Sequence, residues 1–134
     1  KEVLEKYRQY HSTNGALPYY LGKLSLRLGD SKNALKYFEM ATRTEDVDPI
    51  FFIDYAGLLV RKNDVPNALK AYDAALKLYP ENVNVLYSKA KTLFQHQYID
   101  EALVLTQESL RLDPDFIPAI QLLSAIQAKT KSVK

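Results

Sequence analysis

Hydrophobic residues recur along this chain at intervals of three and four, broken by short polar punctuation. Leu21, Leu24 and Leu28 keep that spacing up to Gly29-Asp30, and Leu35, Phe38 and Ala41 resume it beyond. A stripe of this period predicts an amphipathic helix, and its interruption by Gly-Asp predicts a turn between two of them. Phe52, Tyr55, Ala56 and Leu59 form the next stripe, which ends at Asn63-Asp64. Pro66 then stands where a further helix starts, a position that needs no backbone N–H. Val83, Leu86, Tyr87, Ala90, Leu93 and Phe94 make a third stripe. Asp48, just before Pro49, and Asn82 are placed to cap helix starts with side-chain oxygens. The spacing continues into both flanks, through Val3, Leu4 and Tyr7, and from Phe116 to about Lys129. In that last helix Ile120, Leu123 and Ile126 are predicted to face inward, with Gln121, Gln127 and Lys129 toward solvent.

Beneath the helical period lies a longer one. Asn33-Ala34-Leu35-Lys36, Asn67-Ala68-Leu69-Lys70 and Glu101-Ala102-Leu103-Val104 align, their alanines 34 residues apart. Four residues after each alanine come Phe38, Tyr72 and Thr106; seven after come Ala41, Ala75 and Ser109. Gly22, Ala56 and Ala90 recur at the same interval, as do Pro80 and Pro114. A small residue at a fixed point lets two antiparallel helices approach, and a large one a turn away fills the hole beside it.

In this the chain resembles the tetratricopeptide repeat family, whose period is 34 residues. Leu21-Gly22, Ala34, Phe38 and Ala41 carry the resemblance in the first unit. Ala56, Leu59, Ala68, Tyr72, Ala75 and Pro80 carry it in the second, and Ala90, Leu93, Ala102 and Pro114 in the third. Pro18, Phe52 and Leu86 replace the family's frequent Trp, and Lys89 stands where an apolar residue is usual. The first unit lacks a closing Pro and instead carries Glu45-Asp46-Val47-Asp48. The resemblance implies an all-α fold, a right-handed α-solenoid of antiparallel helix pairs. Its expected parts are a partial repeat helix over 1–14, repeats over 15–48, 49–82 and 83–116, and a capping helix with a basic tail over 117–134. A chain that starts inside a repeat, at Lys1 rather than Met, is expected to be a piece of a longer array.

Composition narrows the chemistry. Of 134 residues 47% are hydrophobic and 25% charged, with no cysteine, so disulfides, thiolate metal sites and thiol catalysis are excluded. Eighteen basic against 16 acidic side chains leave a net charge of +2, without the basic stripe that a polyanion requires. Nucleic acid is therefore not the expected partner. The apolar stretches are too short to span a bilayer. The compartment stays open, with a soluble cytoplasmic setting slightly favoured. His11 and His96 lie in or beside different inter-helix turns, without a nucleophile or acid at catalytic spacing. Glu45, Asp46 and Asp48 lack the alternating ligands and central Gly of a calcium loop. No catalytic residue, metal or cofactor is expected, and the chain reads as a non-enzyme.

In arrays of the family it resembles, the first helix of each unit lines a concave face. That arrangement places Tyr19, Ile53 and Tyr87 at equivalent points, with Leu26, Val60 and Phe94 at another, the last three also suited to packing between repeats. Lys23, Gly57 and Lys91 form a third row and Arg27, Arg61 and Gln95 a fourth, with Tyr20, Asp54 and Ser88 between. The expected groove has an aromatic, apolar floor and a partly basic wall, fit for a partner's peptide or helix with hydrophobic and some acidic residues. Some family members clamp the acidic C-terminal tails of heat-shock chaperones with Lys, Asn and Arg. Tyr19, Lys23, Asp54, Asn84 and Ser88 occupy those positions here; none matches, and Asp54 repels a carboxylate. The alternative to a peptide-binding scaffold is self-assembly, with terminal helices stacking on another copy into a homo-oligomer.

Overall fold

The computed structural model describes residues 15–133, so the helix expected over 1–14 lies outside the described residues. Seven helices follow one another here: α1 (Ala16–Arg27), α2 (Ser31–Thr42), α3 (Pro49–Arg61), α4 (Val65–Leu78), α5 (Val83–Gln95), α6 (Ile99–Leu112) and α7 (Ile117–Val133). The fold is all-α, built from helices joined in antiparallel fashion by short turns. Two compact units divide the chain, one up to Ala71 and one from Tyr72.

In the first unit α1 packs on α2, and α2 on α3. Close approach of α1 and α2 depends on Gly22, where a Cβ would stand 2.5 Å from the Phe38 ring. Phe38 itself is fully buried, in one cluster with Ala34 and Leu58, and Tyr19, Leu26, Leu35 and Tyr55 pack around it. Gly15 is held just as closely: a Cβ there would meet the Ala41 carbonyl oxygen at 2.7 Å. The irregular junction after α2 is anchored by Val47, which is 5% exposed. Asp48 then accepts a hydrogen bond from the Ile50 N–H at 3.0 Å and starts α3.

In the second unit α5 packs on α6, and α7 on both. Asn82 caps α5 by accepting from the Val85 N–H at 3.0 Å. Ala90, Leu93 and Ala102 fill the space between the pair. Thr106 and Ser109, where the first unit has Phe38 and Ala41, are fully buried hydroxyl residues. Each satisfies its hydroxyl by donating back to its own helix, Thr106 to the Ala102 carbonyl and Ser109 to that of Leu105. Lys89, unusual in an apolar place, has an ion-pair partner in Asp73.

Leu24 and Leu28, which keep the helical spacing, are 50% and 76% exposed, so the α1 stripe is only partly covered. Ile126 is buried as expected, and α7 also buries Ala119 and Leu122, while Ile120, expected to face inward, is 45% exposed. Its equivalents Phe52 and Leu86 are buried, on helices that are followed by another. Among the described residues no helix follows α7 to cover Ile120.

Candidate protein-interaction surface

The first helices of the repeats, α1, α3 and α5, bring the candidate residues together in two places. In the first unit Tyr19 is the centre. Its ring packs on Phe51 at 4.7 Å between centroids and on Phe38 at 5.9 Å, and Tyr20 meets it edge-on at 5.5 Å. Its hydroxyl donates to Asp54 Oδ2 across the step from α1 to α3. Lys23 Nζ lies 3.8 Å from the same oxygen and 5.8 Å from the centre of the Tyr19 ring. Burial raises the Tyr19 phenol well above its ordinary value of 10, and the hydrogen bond to Asp54 and the negative charge of that carboxylate push it the same way. Tyr19 is therefore a neutral donor, and Asp54 a held acceptor. The Asp54 side chain keeps 27% exposure, so the cluster is open to a ligand.

Beside it, Ile53 is half-buried and Gly57 faces open space: a Cβ there would have no atom within 4 Å. Arg27 and Arg61 are exposed in the last turns of α1 and α3, where a cation also favours the helix dipole. Leu26 belongs to the packing around Phe38, and Val60 is half-buried.

In the second unit Tyr87 is half-buried, its ring edge-to-face with Phe116 at 5.7 Å. Ser88 is half-buried, while Asn84, Lys91 and Gln95 are exposed. Phe94 is half-buried, with the Lys129 ammonium 5.8 Å from its ring centre. Lys129 thus covers an aromatic ring and is not simply a solvated tail residue.

What the row-by-row projection missed is the Tyr19–Asp54–Lys23 cluster. Asp54 reads in sequence as an acid interrupting a basic wall; in space it takes one of that wall's cations. The available signal was the lone acid among the aligned rows. A second concavity of about 490 Å³ opens among α2, α3 and the start of α4, lined by Leu35, Met40, Tyr55 and Leu59 with Glu39 and Asp64. Its acids are engaged locally, Glu39 accepting from the Tyr55 hydroxyl at 3.2 Å and pairing with Arg43 and Asp64 capping α4, while Lys36, which also lines it, is exposed. Among the described residues no three His, Asp or Glu side chains are grouped to hold a metal ion. Among them, too, no helix is long and apolar enough to cross a membrane.

Comparison with known proteins agrees with this architecture. Residues 56–115 match the model of the tetratricopeptide repeat. Protein CTR9 homolog of Arabidopsis thaliana is 29% identical over 112 residues, which cover 81% of this chain and 10% of that protein. This chain therefore spans about a tenth of that relative's length. Among solved structures, the first TPR of Spaghetti (RPAP3) bound to the HSP90 peptide SRMEEVD superposes with a TM-score of 0.76 at 16% identity, covering 88% of this chain and 94% of that one. MamA gives 0.76 at 15% identity over 95% and 74%. YrrB, described as a TPR protein with an unusual peptide-binding site, gives 0.71 at 22% identity over 90% and 62%. At such identities the likeness is one of fold.

Proposed function

Because this chain is built from tetratricopeptide repeats, which typically serve as protein-interaction scaffolds, we propose that it is a non-catalytic module holding a peptide segment or helix of a partner protein along the first helices of its repeats. The observation that carries this reading is the face that α1 and α3 offer together. Tyr19, Tyr20 and Ile53 supply apolar contact, Gly57 leaves room for a backbone, and Asp54 stands ready to accept. Aromatic anchors with a few fixed polar groups are what peptide recognition requires.

The chemistry of the ligand follows from the charges. Lys23 is shared with Asp54, so positive potential rests on Arg27 and Arg61 here and on Lys91 in the second unit, with Asn84, Tyr87, Ser88 and Phe94 beside it. A partner with hydrophobic anchors and dispersed acidic residues suits this pattern. A terminal carboxylate laid against Asp54 does not. Although the RPAP3 repeat binds an HSP90 peptide ending in acid, that mode is not the one proposed for this chain. Nucleic acid has no part in the reading, and neither has catalysis.

The test is steric. Gly57→Trp adds bulk where a Cβ meets no atom within 4 Å, so helicity should be kept and Tm should not fall, while capture of the partner from extract falls at least tenfold. Equal capture by Gly57→Trp and the wild type, with loss instead in Lys36→Glu or Lys70→Glu on the second helices, would overturn the proposal.

A further inference from the structure

Gly22 and Gly57 both lie inside first helices of repeats, and the fold explains only Gly22. The Phe38 ring occupies the place where a Gly22 Cβ would stand. Gly57 lies in the body of α3, and a Cβ there meets no atom within 4 Å. Inside a helix glycine costs stability against every residue except proline, so keeping it here works against the fold. The equivalent residues one repeat before and one after are Lys23 and Lys91, each with a long side chain. α3 therefore has a notch where α1 and α5 carry a lysine. A bare Cα without a packing role is what a close approach by another backbone requires.

Three residues before the notch, and so beside it on the helix surface, stands Asp54. Its Oδ2 accepts from the Tyr19 hydroxyl and lies 3.8 Å from Lys23 Nζ. Its Oδ1 has no partner among the described residues, and the side chain is 27% exposed. An ionised carboxylate is an acceptor on both oxygens, so half of this one is held by Tyr19 and half is open. Tyr20 and Ser88, at the same position in α1 and α5, bring no carboxylate. Acceptor and notch thus coincide in α3 and in neither of those helices. Because Lys23 already offsets the charge, a neutral donor suits Oδ1 better than a second cation.

Resting on the reading that the first helices hold a partner segment, we propose that Gly57 and Asp54 form a seat for one main-chain amide of that segment. Its backbone crosses the bare Cα of Gly57, and its N–H donates to Asp54 Oδ1. A partner helix keeps its N–H groups within its own ladder and its backbone behind side chains. An extended segment presents free N–H and C=O groups along its edge. The partner is therefore extended where it crosses α3, and the seat fixes its register there.

The probes are dodecapeptides selected from a random phage library on the full chain and counter-selected on Gly57→Trp, with affinities read by fluorescence anisotropy. Gly57→Ala should keep its helicity and lose no stability, yet bind at least tenfold more weakly, a divergence that a structural role does not produce. Each peptide is then N-methylated at one residue at a time. On Tyr19→Phe, one methylation should weaken binding at least tenfold. On the double variant Tyr19→Phe, Asp54→Ala, in which no phenol is left without its acceptor, the same methylation should weaken it less than twofold. Undiminished binding to Gly57→Ala, or no methylation whose effect depends on Asp54, would overturn the seat and leave the face as a peptide site. So would an Asp54-dependent loss that follows an Asn, Gln, Lys or Arg side chain of the peptide instead of its main chain. Failure to select any peptide that Gly57→Trp excludes would overturn the proposed function and this inference with it.

Discussion

Residues 29, 63 and 97 sit one repeat apart and all three have left-handed backbone, at φ of 78°, 63° and 71°. The chain fills them with Gly, Asn and Gln, in falling order of tolerance for that conformation. Each turn then closes in the same way, for example through Asp30 N–H to the Ser25 carbonyl and Tyr98 N–H to that of Leu93. The third turn also lacks the cap of the others. Asp30 and Asp64 accept from the Asn33 and Asn67 N–H groups, while Tyr98 makes no side-chain cap. Gln97→Gly should therefore stabilise the second unit by about 1 kcal/mol, and Tyr98→Asp by about 1 kcal/mol, both read from urea midpoints. Glycines divide in the opposite sense. Gly22→Ala drives a methyl into the Phe38 ring and should cost about 1–3 kcal/mol, largely restored by Phe38→Leu in the same chain. Gly57→Ala meets nothing and should gain up to about 1 kcal/mol of helix propensity. Tyr19 and Tyr55 are both raised, chiefly by burial and then by the carboxylates of Asp54 and Glu39. A phenol raised in the folded state adds stability below the unfolded value of 10 and loses it as pH climbs beyond. The urea midpoint should therefore fall above pH 10, and less steeply in Tyr19→Phe, Tyr55→Phe.

At the scale of elements, one tie recurs between consecutive repeats. Glu39 on α2 accepts from Tyr55 on α3, and Asp73 on α4 pairs with Lys89 on α5, both 16 residues apart and at equivalent positions. The unusual lysine is thus the same link made with a cation in place of a phenol. Since Asp73 is 60% exposed, Lys89→Ala should cost no more than about 1 kcal/mol, and the loss should shrink in high salt. Helices, turns and the caps at Asp48 and Asn82 were readable from sequence because each rests on a local rule of period or capping. Burial away from the stripe was not. Val85 is fully buried and Thr92 nearly so, because a helix inside a stack is covered on more than one side and a single-stripe projection sees only one. Ile120 failed for the complementary reason: its apolar character matches Leu86, but burial at that position depends on a following helix. The Tyr19–Asp54–Lys23 cluster was hidden because alignment in rows compares equivalent positions, whereas the contact joins non-equivalent ones on neighbouring helices.

For the whole molecule, the repeat decides how recognition is distributed. Small residues, Gly22 and Ala34 in the first helix pair and Ala90 and Ala102 in the last, let the helices of each pair approach, and other positions on the first helices vary, as Tyr20, Asp54 and Ser88 do. On the function proposed, specificity resides in a few side chains of the first helices, and substitutions there should alter binding without altering helicity. Photocrosslinking with a benzophenone side chain, placed singly at residues 20, 57 and 88 on the first helices and at 36 and 70 on the second, tests this in one experiment. The expected result is that partner-derived crosslinks form from 20, 57 and 88 and are absent from 36 and 70. Crosslinks confined to 36 and 70 would contradict it and move recognition to the second helices.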